Sequence, residues 1–246
     1  MHMPDPILLL TRPDRASRGL LKALSDAGIR AGTNIISPLI EIVYAGRLPK
    51  MQAYRGLIFT SAHGVEAYRR AGGPHRSVCF AVGTATAQAA RQAGFHPVTG
   101  DGDAERLIAE ILALAPEGPL LHLRGRHGRG DVANRLTSDG IETHEAVLYD
   151  QIAKEMSTEA RKALSGSQPV VAPLFSPRTA ELFAASGPMT CPLYLAAMSD
   201  AVADPLRKLD TKALMVSGEP SVPAMRRAVA ELLSRAQELE SRGGGK

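Results

Sequence analysis

The chain has 246 residues, 44% of them hydrophobic and 22% charged, which is enough for one large or two small domains with separate cores. Aromatic residues make up 4% and Trp is absent, which argues against stacking platforms for single-stranded nucleic acid. The net charge of +4 arises from 29 basic and 25 acidic residues without a long run of one sign, a balance suited to a small anionic ligand rather than nucleic acid.

No apolar stretch approaches the ~20 residues of a membrane span, and the start lacks a basic segment followed by an apolar run. A cytoplasmic protein with no membrane or nucleic-acid partner is expected. Met1-His2-Met3 reads as an expression leader. Cys79 and Cys191 stand alone beside predicted strands and read as buried small hydrophobes. His63, His122, His127 and His144 are scattered without ligand spacing, so neither a metal nor a cofactor is expected.

In chain order, Ile7–Leu10 is a short apolar run closed by Thr11-Arg12-Pro13, and Ser17–Ala27 carries Leu20, Leu21 and Leu24 before a stop at Gly28. That is a strand, a polar loop, and a helix ended by glycine. Extended chain is expected over Ile35–Val43. Leu57–Phe59 leads through Thr60-Ser61 into a helix reaching Tyr68, and Val78–Val82 leads through Gly83 and Thr84 into another. Val98–Gly100 precedes a helix over Ala104–Leu114.

Leu120–Leu123 then reads as a strand, Arg124–Gly130 as a Gly- and Arg-rich loop, Asp131–Ser138 as a helix, and His144–Ile152 as extended, with a return strand at Val147–Tyr149. Three further βα units follow. Pro173–Phe175 opens through Ser176 a helix to Phe183, Leu193–Ala197 is followed by Ser199 and a helix to Ala203, and Val216 is followed by a helix over Val222–Leu233. The Gly-rich Ser241–Lys246 is expected to be disordered.

The order repeats: four βα units, then four more in matching register, with Ile35–Val43 and His144–Ile152 as paired extended segments. Such alternation implies α/β domains with parallel sheets flanked by helices, about five strands each. A cut at Glu117-Gly118 would give tandem domains. Paired crossovers near Pro38 and Val147 would instead make one domain discontinuous. The residues alone leave both open.

In open parallel sheets ligands bind beyond the carboxyl ends of the strands. Those loops hold Thr11-Arg12, Thr60-Ser61, Gly83 through Thr86, Gly100-Asp101, Arg124-Gly125, Ser176 through Arg178, Ser199 and Ser217-Gly218. Small residues admit close backbone approach, and hydroxyls and guanidinium forks bind carboxylates or phosphates. Each hydroxyl taken singly is more simply read as a helix cap. The acidic Asp101, Asp103 and Glu105 also fit a helix start better than an acid/base pair. Arg124, Arg126 and Arg129 offer a basic loop, but the Walker lysine is missing and no nucleophile elbow occurs.

These stretches resemble the uroporphyrinogen-III synthase family across essentially the whole chain. The resemblance rests on Leu57–Val65, Ala81–Ala87, Gly100–Glu105, Leu123–Arg126, Val147–Gln151 and Phe175–Ala180 in order. It implies two similar α/β domains joined by a two-stranded β linker, with the active site in the cleft between them. Domain 1 is then residues 1–37 with 152–240, domain 2 is 42–147, and the linker strands are 38–41 and 148–151.

The implied reaction is loss of water from hydroxymethylbilane, a linear tetrapyrrole with eight carboxylates, and closure of the macrocycle with inversion of the last ring. By the same resemblance Tyr149 is the catalytic candidate, a proton donor to the departing hydroxyl. The substrate-binding candidates are Arg12, Ser61, Gly83, Thr84, Thr86, Arg124, Gly125, Ser176, Arg178 and Ser199. His63 stands where some members carry arginine. Ala201-Val202 replace a pair of threonines seen in others, which leaves Ser199 as the nearer hydroxyl. A monomer is implied, with the upstream bilane-forming enzyme as a possible protein partner. The rival readings are a non-catalytic two-domain module that binds an anionic metabolite, and a phosphate-transferring enzyme using Arg124–Gly130.

Overall fold

Fully buried apolar runs set the framework of the computed structural model, which describes residues 5–100, 104–127 and 131–243. Asp101, Asp103 and Arg129, Met1 through Met3 and residues 244–246 lie outside them. The chain divides into two compact units, Met1–Glu41 with Ala153–Lys246, and Ile42–Ile152.

The first unit holds a parallel sheet of β1 (Ile7–Leu10), β2 (Thr33–Ile36), β9 (Val170–Leu174), β10 (Leu193–Ala197) and β11 (Ala213–Val216), in the order β11-β10-β9-β1-β2. Ile7 and Leu9 face one core and Leu8 and Leu10 the other, because side chains alternate along a strand and helices cover both faces. On one face lie α6 (Thr158–Leu164), α7 (Pro177–Ala184) and α8 (Asp200–Ala203). On the other lie α1 (Asp14–Asp26) and α9 (Val222–Gly243), the latter presenting Met225, Val229, Leu232 and Ala236 at helical spacing.

The second unit holds β3 (Ile40–Tyr44), β4 (Gly56–Phe59), β5 (Val78–Val82), β6 (Val98–Gly100), β7 (Leu120–Gly125) and β8 (Thr143–Ala153), in the order β3-β8-β7-β4-β5-β6. The five strands from β8 to β6 are parallel. The cores on the two faces draw on α2 (Ala62–Arg70) and α3 (Gly83–Gln92), and on α4 (Ala104–Leu114) and α5 (Val132–Ser138). Lys154 N donates to Leu39 O at 2.9 Å and Ala45 N to Leu148 O at 3.2 Å, so β3 runs antiparallel to β8. The chain passes from one unit to the other within these two strands.

The sequence repeat has a direct counterpart in topology. β1, β2, β9, β10 and β11 take the same places in one sheet as β7, β8, β4, β5 and β6 in the other. Numbered along the chain, the first sheet has the doubly wound order 2-1-3-4-5 and the second, apart from β3, the order 3-2-1-4-5, so the direction of winding reverses between β1 and β9 and between β7 and β4.

Four local expectations are corrected. The extended segment read as Ile35–Val43 is broken at Ser37-Pro38: β2 ends in one sheet and β3 begins in the other. The strand expected to end at Leu123 continues to Gly125, shortening the basic loop, because its carbonyls and amides still pair with β8. The loop expected around Gly83 and Thr84 is already helix, since α3 begins at Gly83 with φ +70°, a value glycine adopts without Cβ strain. Helix α9 continues through Gly243, so regular structure extends past Ser241. Among the described residues no helix is long and apolar enough to cross a membrane.

Candidate functional site

The two reversal points are where ligands bind in open α/β sheets, because the helices there leave on opposite sides and open a crevice at the strand ends. The sequence-predicted residues fall into two groups along the carboxyl edges of the sheets, some at the reversals and some, such as Gly83 after β5 and Ser199 after β10, one strand away. In the second unit are Ser61, Gly83, Thr84, Thr86, Arg124, Gly125 and Tyr149; in the first are Arg12, Ser176, Arg178 and Ser199.

In the second unit, Tyr149 sits on β8 opposite Gly125, where the register of β7 shifts by one residue in a bulge. Its ring is buried against the core that includes Met51, Leu121 and Leu148. Burial pushes its phenol pKa up, while hydrogen bonds to the Ser61 side chain and the Gly125 backbone, and the charge of Arg124, pull it down. The outcome is a hydroxyl kept protonated among groups that would stabilise a phenolate. Gly125 permits this packing: a Cβ there would lie 2.5 Å from Tyr149 Cε2.

The rings of His63 and Tyr44 flank Tyr149 at centroid distances of 5.8 and 6.4 Å. Tyr44 Oη lies 3.3 Å from His63 Nδ1, and Arg70 stacks over Tyr44 at 4.4 Å. Ser61 also caps α2, accepting from His63 N at 3.1 Å, so one hydroxyl serves both helix and tyrosine. Thr84 is exposed and Thr86 is buried at the start of α3.

Arg124 differs from the expected open anion site. Its Nε donates to Glu145 Oε2 at 2.8 Å and its Nη1 to Gly125 O at 3.1 Å, so its charge already has a carboxylate counterion. The next arginine, Arg126, is likewise paired, with Asp150 at 2.9 Å.

Behind Arg124 lies a chain of polar groups that sequence reading left unconnected. His122 is 1% exposed; its Nδ1 is 3.3 Å from Glu145 Oε1 and its Nε2 is 3.0 Å from Thr60 Oγ1. Desolvation lowers the imidazole pKa against the opposing pull of Glu145. The signal available in sequence was a histidine between leucines in a strand, a buried polar group that requires partners. Which partners it meets is set by register, with Ile58 and Glu145 on either side of His122.

In the first unit, Arg12 follows β1 and its guanidinium lies 4.0 Å above the ring of Phe175, the residue after β9. Burial lowers its pKa, and among the described residues no carboxylate stands within ion-pair distance of it. A desolvated cation without a counterion is the arrangement that favours an anionic ligand. The adjacent Thr11 Oγ1 is buried with no hydrogen-bond partner among the described residues. Ser176 caps α7, accepting from Thr179 N at 3.2 Å, with Arg178 half-buried in the first turn. Ser199 precedes α8 without a side-chain cap bond.

The family model described as "Uroporphyrinogen-III synthase HemD" matches residues 14–227. The chain belongs to the uroporphyrinogen-III synthase family. Among solved structures, uroporphyrinogen-III synthetase from Helicobacter pylori is similar at a TM-score of 0.66 and 16% identity, covering 92% of this chain and 99% of that one. A mutant uroporphyrinogen III synthase from Thermus thermophilus is similar at 0.53 and 14%, covering 93% and 99%. At these identities the structures establish a shared α/β fold. Among curated protein sequences none matches the chain closely enough to serve as a relative. The family's sequence signal therefore starts with α1, which follows Arg12, and ends inside α9.

Proposed function

We propose that this chain acts as a uroporphyrinogen-III synthase, a cytoplasmic, monomeric, cyclising carbon–oxygen lyase of heme biosynthesis that acts on the product of a bilane-forming enzyme. It takes hydroxymethylbilane, removes the hydroxymethyl oxygen as water, and closes the macrocycle with the last ring inverted to give uroporphyrinogen III. The single observation that carries this reading is the family match over residues 14–227.

The chemistry explains why the site needs neither nucleophile nor metal in this account. An electron-rich pyrrole expels water once that oxygen is protonated, and the bilane closes unaided to the non-inverted isomer. The protein's task is to hold the chain so that the substituted carbon of the last ring attacks, a positioning task to which many carboxylate contacts contribute. In the first unit Arg12, which has no acidic partner among the described residues, is the strongest candidate for such a contact.

Tyr149 supplies the proton to the leaving oxygen. Its phenolate is met by Ser61, the Gly125 backbone and Arg124, and the proton is regained when the closing pyrrole carbon loses its own. Incubation with freshly prepared hydroxymethylbilane, followed by oxidation and separation of isomers, tests the reading. The type III isomer is expected in excess, and the type I isomer alone would overturn it.

A further inference from the structure

The chain Thr60–His122–Glu145–Arg124 fixes the direction of each hydrogen bond in it. The Glu145 carboxylate, paired with Arg124, can only accept, so His122 Nδ1 carries the proton between them. An imidazole 1% exposed and held neutral has its second nitrogen, Nε2, as an acceptor. Thr60 therefore donates its O–H to Nε2 across 3.0 Å. Having given its one donor inward, the Thr60 oxygen has only lone pairs left for a ligand.

Thr60 is the residue between the end of β4 and Ser61, the cap of α2, and it remains partly exposed. Phe59 pairs with Leu123, so Thr60 stands beside Arg124 at the strand reversal of the second unit. A hydroxyl limited to accepting repels a carboxylate and suits an N–H. We propose that Thr60 is an acceptor site for a pyrrole N–H of the bound tetrapyrrole, with His122 and Glu145 as positioning residues that hold it in the accepting orientation. This rests on the proposed tetrapyrrole substrate. It gives the second unit a contact for the pyrrole units themselves rather than for their carboxylates.

The arrangement is reversible by acid. A proton added at Nε2 would make it a donor, Thr60 would accept it, and the Thr60 O–H would turn outward. The charged groups facing His122 are Glu145 on β8 and Arg124 on its own strand. The helices packed on that sheet face carry Glu105, Arg106 and Glu110 on α4 and Arg135 on α5; Glu105 and Arg135 are paired with each other, and none of the four is among the groups acting on the His122 ring.

The test is steady-state kinetics with hydroxymethylbilane together with a 15N spectrum of the wild-type protein, its His122 signals assigned by their loss in His122→Gln. At neutral pH the Nδ1–H tautomer is expected for His122. Thr60→Val, which keeps the shape and loses the acceptor, is expected to raise KM roughly fivefold to tenfold with kcat changed less than threefold, the effect of one lost neutral hydrogen bond. Thr60→Ser restores the acceptor and is expected to bring KM back to within about threefold of wild type. In wild type KM rises as the pH falls through the His122 transition, and Thr60→Val removes that step. An Nε2–H tautomer, or a Thr60→Val enzyme with unchanged KM, would overturn this inference alone. Wild-type protein that does not consume hydroxymethylbilane would overturn the proposed function instead, while the tautomer still decides the direction of the relay.

Discussion

Replacing Gly125 by Ala isolates the packing on which the Tyr149 site depends. A Cβ built there would stand 2.5 Å from Cε2 and 2.7 Å from Cζ of Tyr149, and ordinary contact begins at 3.4 Å. The ring would have to withdraw by roughly 1 Å, yet it is packed in a core with Leu121 and Leu148 and hydrogen-bonded to Ser61. Overpacking of this kind costs about 1–3 kcal/mol, which for a chain of this length lowers the melting temperature by roughly 2–10 °C. Gly125 is not among the residues with positive φ, so the backbone adds no cost of its own. The cost should therefore vanish when the obstructing ring atoms are removed. In a double-mutant cycle with Tyr149→Leu, followed by urea and thermal unfolding with far-UV circular dichroism, a coupling of at least about 1 kcal/mol is expected. Strict additivity within ~0.5 kcal/mol would refute the claim that Gly125 is there to seat Tyr149.

Other outcomes follow from the same contacts. Tyr149→Phe should lower kcat far more than it lowers stability, and wild-type turnover would reduce Tyr149 to a packing residue. Arg12→Met keeps the stem over Phe175 and removes an uncompensated buried cation, so KM for the bilane should rise about tenfold while the melting temperature holds or increases. Arg124→Met should show the opposite balance, losing stability more than affinity, because it strips the counterion from Glu145. Burial pushes the Cys79 thiol from its usual 9.0 up to about 12 and the Tyr68 phenol to about 12. These groups bind protons more tightly when folded, so their contribution is intact below pH 9 and lost as pH rises toward 12. For Cys79 alone that amounts to about 4 kcal/mol. Cys79→Ala should move the alkaline unfolding midpoint upward, and an unmoved midpoint would contradict the assignment.

The repeat was the most legible property of the sequence because βα units carry their own local signals: an apolar strand, a small or hydroxylated turn, and a helix stopped by glycine. Matching Ile7–Leu10 to Leu120–Leu123 and Leu57–Phe59 to Pro173–Phe175 anticipated their equivalent places in the two sheets. Elements without a repeat partner were missed. Helix α6 has only Ala160 and Leu164 buried, too few to show a period. The crossover near Pro38 was legible only through the family resemblance, since the apolar residues on either side of Ser37-Pro38 form one extended run although each side pairs in a different sheet.

Site chemistry was legible at the level of residue type and not of pairing. Ser61 and Ser176 were identified as caps or ligands, and both cap. Arg12 and Arg124 look alike in sequence, each at a strand end. Only the register that brings Glu145, 21 residues on, beside Arg124 separates the compensated arginine from the one that has no counterion among the described residues. The same register joins Thr60, His122 and Glu145, residues far apart in the chain, a link that no local pattern displays.

The most direct test of the account is the isomer ratio produced from a fixed amount of hydroxymethylbilane as enzyme concentration is raised. Unaided closure competes with the enzyme in every reaction, so a steering enzyme must divert more of the bilane from type I to type III product as its concentration increases. A type III fraction that climbs to near completion is expected, with the climb shifted to higher enzyme concentration in Tyr149→Phe. A type I product that dominates at every enzyme concentration would contradict it.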